Sequence, residues 1–257
     1  MLDEVRTTFE TYEDGRVATV TVDHQQRINI LNRARTEALR DHFRELAAHE
    51  DLRAVVLTGA GDRAFIGGAD INEMVELTPD TAETFIRTLH EACQAIRDLP
   101  VPVIARIRGY CLGAGLEVAA ACDLRVASDD STFGMPEVRV GIPSVIEAAL
   151  LPSLVGWGRT RELVYTGENW DAAEANRAGF LERLTPPADL DAAVERWLAS
   201  ILANGPRAIR AQKALLRQWE QLPLAEAIEA GITAFAASFE HDEPHEAMRR
   251  FIDRPRD

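Results

Sequence analysis

Two short runs of mostly β-branched and aromatic residues, 7–12 and 17–22, flank Glu13-Asp14-Gly15 and predict a β-hairpin, because Asp-Gly readily takes the positive φ of a tight turn. Leu39, Phe43 and Leu46 then fall on one face of a helix predicted over 33–49. Residues 54–58 (Ala-Val-Val-Leu-Thr) form a continuous apolar run, the pattern of a strand buried on both faces. Phe85, Leu89, Cys93 and Ile96 make the stripe of a helix over 81–98, which Pro100 and Pro102 end, and residues 103–107 form the next strand. A helix through Ala121 and a strand over 123–127 follow. Strand, glycine loop and helix thus recur, predicting an α/β spiral of repeated ββα units rather than a doubly wound sheet.

Beyond Arg159 the pattern turns mostly helical. Asp171 is placed to cap one helix, longer ones cover 189–203, 206–219 and 224–239, and a short Arg-rich helix ends the chain. The expected organisation is a core over residues 1–195 and a helical region over 196–257. Helices rich in alanine and leucine after such a core often pack on neighbouring subunits.

Composition narrows the function classes. The 257 residues are 46% hydrophobic and 27% charged, ordinary values for a chain able to bury a large core. The net charge of −14 argues against a nucleic-acid partner, which needs a basic face. Lys213 is the only lysine. Cys93, Cys111 and Cys122 lie in apolar surroundings without metal-ligand spacing, so buried thiols in a reducing compartment, and no metal site, are expected. The acidic, strand-like N-terminus and the lack of a bilayer-length apolar run make the expectation a soluble, cytoplasmic protein without a membrane partner.

Two glycine segments carry the chemistry. Gly59-Ala-Gly61-Asp-Arg-Ala64 fits a dinucleotide-binding pattern, but that pattern must open a helix directly; here Phe65-Ile66 and two more glycines intervene, so a tight turn is expected. Ala64-Phe-Ile-Gly-Gly-Ala-Asp70 leads into a short helix whose first amides, including that of Ala69, are free to face an oxyanion. By itself it would read as a glycine turn capped by Asp70. Gly109-Tyr-Cys-Leu-Gly-Ala-Gly-Leu-Glu117 opens a second helix with the Ala114 amide at its positive end and Glu117 one turn on. Glu117 among apolar neighbours is either the completion of that helix end or a functional carboxylate. Phe133-Gly-Met-Pro-Glu137 adds a second carboxylate on a proline-fixed loop, which alone would read as solvated. No nucleophile elbow is present, and Ser144, Cys111 and the six histidines form no triad by spacing.

In this order, with Ala121-Cys-Asp123, these motifs resemble the crotonase superfamily (the enoyl-CoA hydratase/isomerase family) from about Val5 to Arg256. The resemblance implies a crotonase-like spiral with a C-terminal helical trimerisation region, and a homotrimer or homohexamer. It implies that the Ala69 and Ala114 amides form an oxyanion hole and that Glu117 and Glu137 are the catalytic pair. It further implies contacts to substrate and coenzyme A from Gln26, Arg27, Ile28, Gly67, Asp70, Ile71, Gly113 and Pro136, and from Phe251 and Arg254, often across a subunit boundary. Coenzyme A enters as part of an acyl-CoA substrate in fatty acid metabolism, with no separate cofactor.

The implied reaction is hydration of a 2-enoyl-CoA, with Glu117 taking a proton from water at C3 and Glu137 delivering one to C2. Isomerisation, thioester hydrolysis and CoA binding without turnover are the alternatives. Where many hydratases carry a glycine-rich stretch, this chain has Ser144-Val-Ile-Glu-Ala-Ala-Leu-Leu151, so Val145, Ile146 and Glu147 are expected to reshape the acyl pocket.

Overall fold

The computed structural model describes residues 4–253. The predicted hairpin is β1 (Val5–Tyr12) and β2 (Gly15–Val22), antiparallel, with Val5 opposite Val22 and Tyr12 opposite Gly15. After α1 (Arg33–Leu46), β3 (Leu52–Gly59) lies parallel to β2, and seven of its eight residues are buried, all but Thr58, as its apolar run predicts.

From β3 onward the chain alternates between two sheets. β3 leads to β4 (Ala64–Ile66), then to α2 (Ile71–Met74) and α3 (Pro79–Asp98). The next turn is β5 (Val103–Ile107), β6 (Tyr110–Leu112) and α4 (Ala114–Ala121). β7 (Leu124–Ser128) and β8 (Thr132–Gly134) begin a third turn, which continues through α5 (Leu151–Thr166). β9 (Trp170–Asp171), α6 (Ala172–Ala178) and β10 (Arg183–Thr185) complete the core. One sheet has the order β1-β2-β3-β5-β7-β10 and the other β4-β6-β8-β9. Each turn therefore gives one strand to each sheet before its helix, and this is the expected ββα spiral. The second strands are only two or three residues long, too short for a period-2 signal, and sequence periodicity misses them.

Four helices follow: α7 (Leu190–Leu202), α8 (Pro206–Trp219), α9 (Leu224–Ser238) and α10 (Glu243–Ile252). Residues 195 and 196, where the sequence reading divides the chain, both lie within α7. Leu190, Ala193, Val194 and Leu198 of that helix join Val17, Ala54, Val56, Ile104 and Val126 of the large sheet in one apolar cluster.

Two buried cations tie these parts together. Arg125 donates to Ala119 O at 3.3 Å and Cys122 O at 2.9 Å, satisfying carbonyls at the end of α4, and also to Glu182 and Phe180 O. Lys213 Nζ, from α8, donates to Val101 O and Asp123 Oδ2, each at 2.8 Å. The sole lysine thus joins the C-terminal helices to the core. All three cysteines are buried and free. Among the described residues no helix is long and apolar enough to cross a membrane, and no group of three metal-ligating side chains occurs.

Candidate active site

The ends of β4 and β6 bring the two glycine segments together. A Cβ on Gly115 would overlap the Ile66 carbonyl, so glycine allows α4 to start directly against β4. Gly68, at φ 115°, lies against the Leu112 carbonyl. Around Ala69, Leu31 N–H donates to Gly68 O and Asp70 N–H to Leu31 O. Around Ala114, Gly113 N–H donates to Gly134 O, while the Leu116 and Glu117 N–H groups turn back to Gly113 O. Among the described residues the Ala69 and Ala114 N–H groups donate to no other backbone group, and Ala114 is the first residue of α4. Two free amides therefore stand at adjoining loops, one at a helix N-terminus.

Both amide-bearing residues line a cavity of about 270 Å³ together with Glu117, Glu137, Gly67, Ile71, Gly113 and Pro136. Its apolar wall comes largely from Met74, Phe85, Ile86 and Leu89 on one side and Val140, Ile142 and Val145 on the other. Phe85 and Leu89, both on the predicted helix stripe, are buried and line the cavity, and Leu89 also joins the main core cluster.

Glu117 is 4% exposed, and its Oε1 accepts the Ala148 N–H at 3.3 Å. Burial first, then the charge of Glu137, raises its pKa; the Ala148 N–H works in the opposite direction, and Glu147 adds a smaller push upward. The result is about 8, so the unliganded site holds a proton on Glu117 at neutral pH. Glu137 begins the 3-10 turn Glu137–Val140 and is half-buried. Its Oε2 accepts the Ser144 hydroxyl at 2.7 Å, and a Cβ on Gly113 would overlap its Oε1. Ser144, which forms no nucleophilic triad by spacing, is thus a hydrogen-bond donor to Glu137.

The 144–151 segment does more than border the pocket. Ile146 has φ 40°, a backbone conformation costly for a β-branched residue, by about 1–3 kcal/mol. Beside it, Glu147 turns inward to 5% exposure and meets His90 Nδ1 at 2.8 Å. No sequence spacing links His90 to Glu147, 57 residues apart.

The remaining expected contact residues divide. Gln26 and Arg27 are exposed on the turn Gln25–Arg27, and Ile28, at φ 50°, packs against Gly67. Arg27 pairs with Asp70 at 3.2 Å. Burial alone would raise the Asp70 pKa, but the Asn72 hydrogen bonds and the charges of Arg27 and Arg35 outweigh it and hold the group below its ordinary value. Phe251 is exposed on α10 and is not part of the cavity lining; Arg254 lies outside the described residues.

A cavity edged by two free amides and two glutamates, on a two-sheet ββα spiral, is built to place hydrogen-bond donors and acid/base groups around one small ligand group. The chain belongs to the enoyl-CoA hydratase/isomerase family, whose model matches residues 12–256. It is 32% identical over 243 residues to the short-chain-enoyl-CoA hydratase of Clostridium acetobutylicum, covering 94% of this chain and 93% of that one. It is 30% identical over 243 residues to the crotonyl-CoA hydratase of Syntrophomonas wolfei, with 94% of each covered. Among solved structures, enoyl-CoA hydratase from Mycobacterium smegmatis superposes with a TM-score of 0.91 at 31% identity, covering 97% of this chain and 98% of that one. The enoyl-CoA hydratase of Bacillus anthracis gives 0.91 at 28% identity, covering 98% and 96%. The fold is the crotonase fold.

Proposed function

We propose that the protein is an enoyl-CoA hydratase that adds water across the C2–C3 double bond of a short 2-enoyl-CoA. The observation that carries this reading is the convergence of the Ala69 and Ala114 amides with Glu117 and Glu137 on one cavity. The thioester oxygen would sit between the two amides. Attack at C3 drives charge onto that oxygen, and donors already aimed there are worth about 3–4 kcal/mol each. Hydration needs one group to take a proton from water and another to give one to C2. Two carboxyl groups holding a single proton meet that need. With Glu117 as the base and Glu137 as the acid, the proton held by Glu117 in the free site passes to Glu137 as substrate and water enter.

The apolar cavity of about 270 Å³, together with the likeness to a short-chain-enoyl-CoA hydratase and a crotonyl-CoA hydratase, supports a short acyl group. Gln26, Arg27, Ile28, Gly67, Asp70 and Ile71 would hold the coenzyme A arm, with Phe251 and Arg254 contributing from the C-terminal helix. Leu224, Ile228, Ile232 and Phe235 leave an exposed apolar stripe along α9, which supports a homotrimer or a homohexamer. No cofactor beyond the substrate's own coenzyme A takes part.

Proton retention by Glu117 favours a second reading, enoyl-CoA isomerisation, in which Glu137 alone carries a proton between C2 and C4. Incubation with crotonyl-CoA tests the first reading. Loss of the conjugated enoyl-thioester absorbance with formation of 3-hydroxybutyryl-CoA supports it. Persistence of that absorbance, alongside conversion of a 3-enoyl-CoA to its 2-enoyl isomer, favours the second.

A further inference from the structure

The cavity uses two glutamates, yet a third is buried next to them. Glu147 is 5% exposed; its Oε1 meets His90, the buried Cys93 thiol lies against the same carboxyl, and its Oε2 has no hydrogen-bond partner among the described residues. A buried carboxylate with an orphaned oxygen is costly and calls for a reason. Glu147 does not line the cavity. It stands behind it, one residue before Ala148, whose N–H holds Glu117. The turn Ile146–Leu150 that carries both enters through the strained Ile146, so something must fix its position. His90, on α3 and with its side chain 45% exposed, supplies that link by tying the turn to the helix that also provides Phe85, Ile86 and Leu89 to the cavity wall.

We propose that Glu147, tethered by His90, is a positioning residue for Glu117: it pins the Ala148 turn to α3 and sets a second carboxyl behind the catalytic one. This rests on Glu117 acting as an acid/base in the hydratase reading. The groups facing Glu117 are Glu137 from its own turn, Glu147 from the Ile146–Leu150 turn, and Cys93 from α3, which lies near both Glu117 and Glu147. Of these, Glu137 belongs to the chemistry and Cys93 is a thiol that full burial keeps protonated. Glu147 is the charge that can be altered without touching the reacting atoms. Its effect is to strengthen the grip of Glu117 on the proton it holds in the free site.

The test is a carboxyl-carbon NMR titration of the free protein labelled at glutamate, with the Glu117 signal assigned by its loss in Glu117→Gln. In Glu147→Gln, which keeps shape and the acceptor for His90, the Glu117 midpoint falls below that of the parent protein, because the like charge behind Glu117 is gone. His90→Arg, at a half-exposed position, places a permanent cation on Glu147 and moves the midpoint the same way. The basic-side pH dependence of kcat/KM with crotonyl-CoA shifts in parallel, with KM little changed. An unmoved Glu117 midpoint in both folded variants overturns the proposal, and if Glu147→Gln does not fold, His90→Arg decides alone. Because the titration needs no substrate, absent hydration with a shifted midpoint refutes the hydratase reading and leaves the charge relationship standing.

Discussion

The Ser144 hydroxyl donates to Glu137 Oε2 at 2.7 Å, fixing the half-buried carboxyl of a surface turn toward the cavity. Without that bond Glu137 is free to swing to solvent. Ser144→Ala is expected to lower kcat by about tenfold, with a small change in KM, because one positioned hydrogen bond to a charged group is worth about 1.5–3 kcal/mol. Steady-state kinetics with crotonyl-CoA check this. A fall in kcat/KM through KM alone would mean that Ser144 serves binding.

Gly113 faces the other oxygen of the same carboxyl. It has φ 51°, and a Cβ there would overlap Glu137 Oε1. Gly113→Ala therefore strains the backbone and displaces the carboxyl at once. Turnover is expected to fall by at least about a hundredfold, the cost of a misplaced reacting group. Thermal unfolding of the same variant separates this local effect from loss of fold.

Glu117 gives the protein a pH signature. Its pKa is raised on folding from 4.5 to about 8, so the folded chain binds this proton more tightly than the unfolded chain. The associated stability is complete below about pH 4.5 and is lost as pH rises through about 8. Glu117→Gln removes this dependence. Relative to the parent, the variant should gain stability between pH 5 and pH 9 by an amount on the order of a few kcal/mol, read from denaturant unfolding at each pH. A constant difference across that range would show that Glu117 is not held protonated.

Lys213 couples the C-terminal helices to the strand that follows α4. Its Nζ is buried between Asp123 Oδ2 and Val101 O, and Asp123 Oδ2 also accepts the Val103 N–H at 2.6 Å. Burial, acting first, lowers the lysine pKa, and the Asp123 charge partly restores it. Lys213→Met strips a buried ion pair of one member and should cost about 3 kcal/mol, toward the lower end for such pairs because Asp123 keeps a route to water. A loss below about 1 kcal/mol in equilibrium unfolding would contradict this.

The parts of this molecule written locally in the chain could be read from it. The Asp-Gly hairpin, the apolar run of β3, the stripe of α3 and the proline stop after it each rest on neighbouring residues, and all are found. The glycine segments gave the two free amides, because glycine permits the close approaches at Gly68 and Gly115. What escaped was non-local or short. Three-residue strands such as β4 and β6 leave no period to detect. The His90–Glu147 pair spans 57 residues, and the inward turn of Glu147 depends on the Ile146 backbone, which no propensity favours. The 144–151 segment was expected to reshape the pocket; Val145 does line it, while Glu147 lies behind and Ser144 orients Glu137. The raised pKa of Glu117 follows from its burial with Glu137 and Glu147, which only the folded arrangement brings about.

The central claim is that Glu117 and Glu137 together hydrate a 2-enoyl-CoA bound at the Ala69 and Ala114 amides. Its most direct test is the rate of 3-hydroxybutyryl-CoA formation from crotonyl-CoA by the parent protein and by Glu117→Gln and Glu137→Gln. The account predicts rapid hydration by the parent and a loss of kcat of at least about a hundredfold in each folded variant, the scale of acid–base contributions. Hydration that survives in either variant at near-parent rates would contradict it.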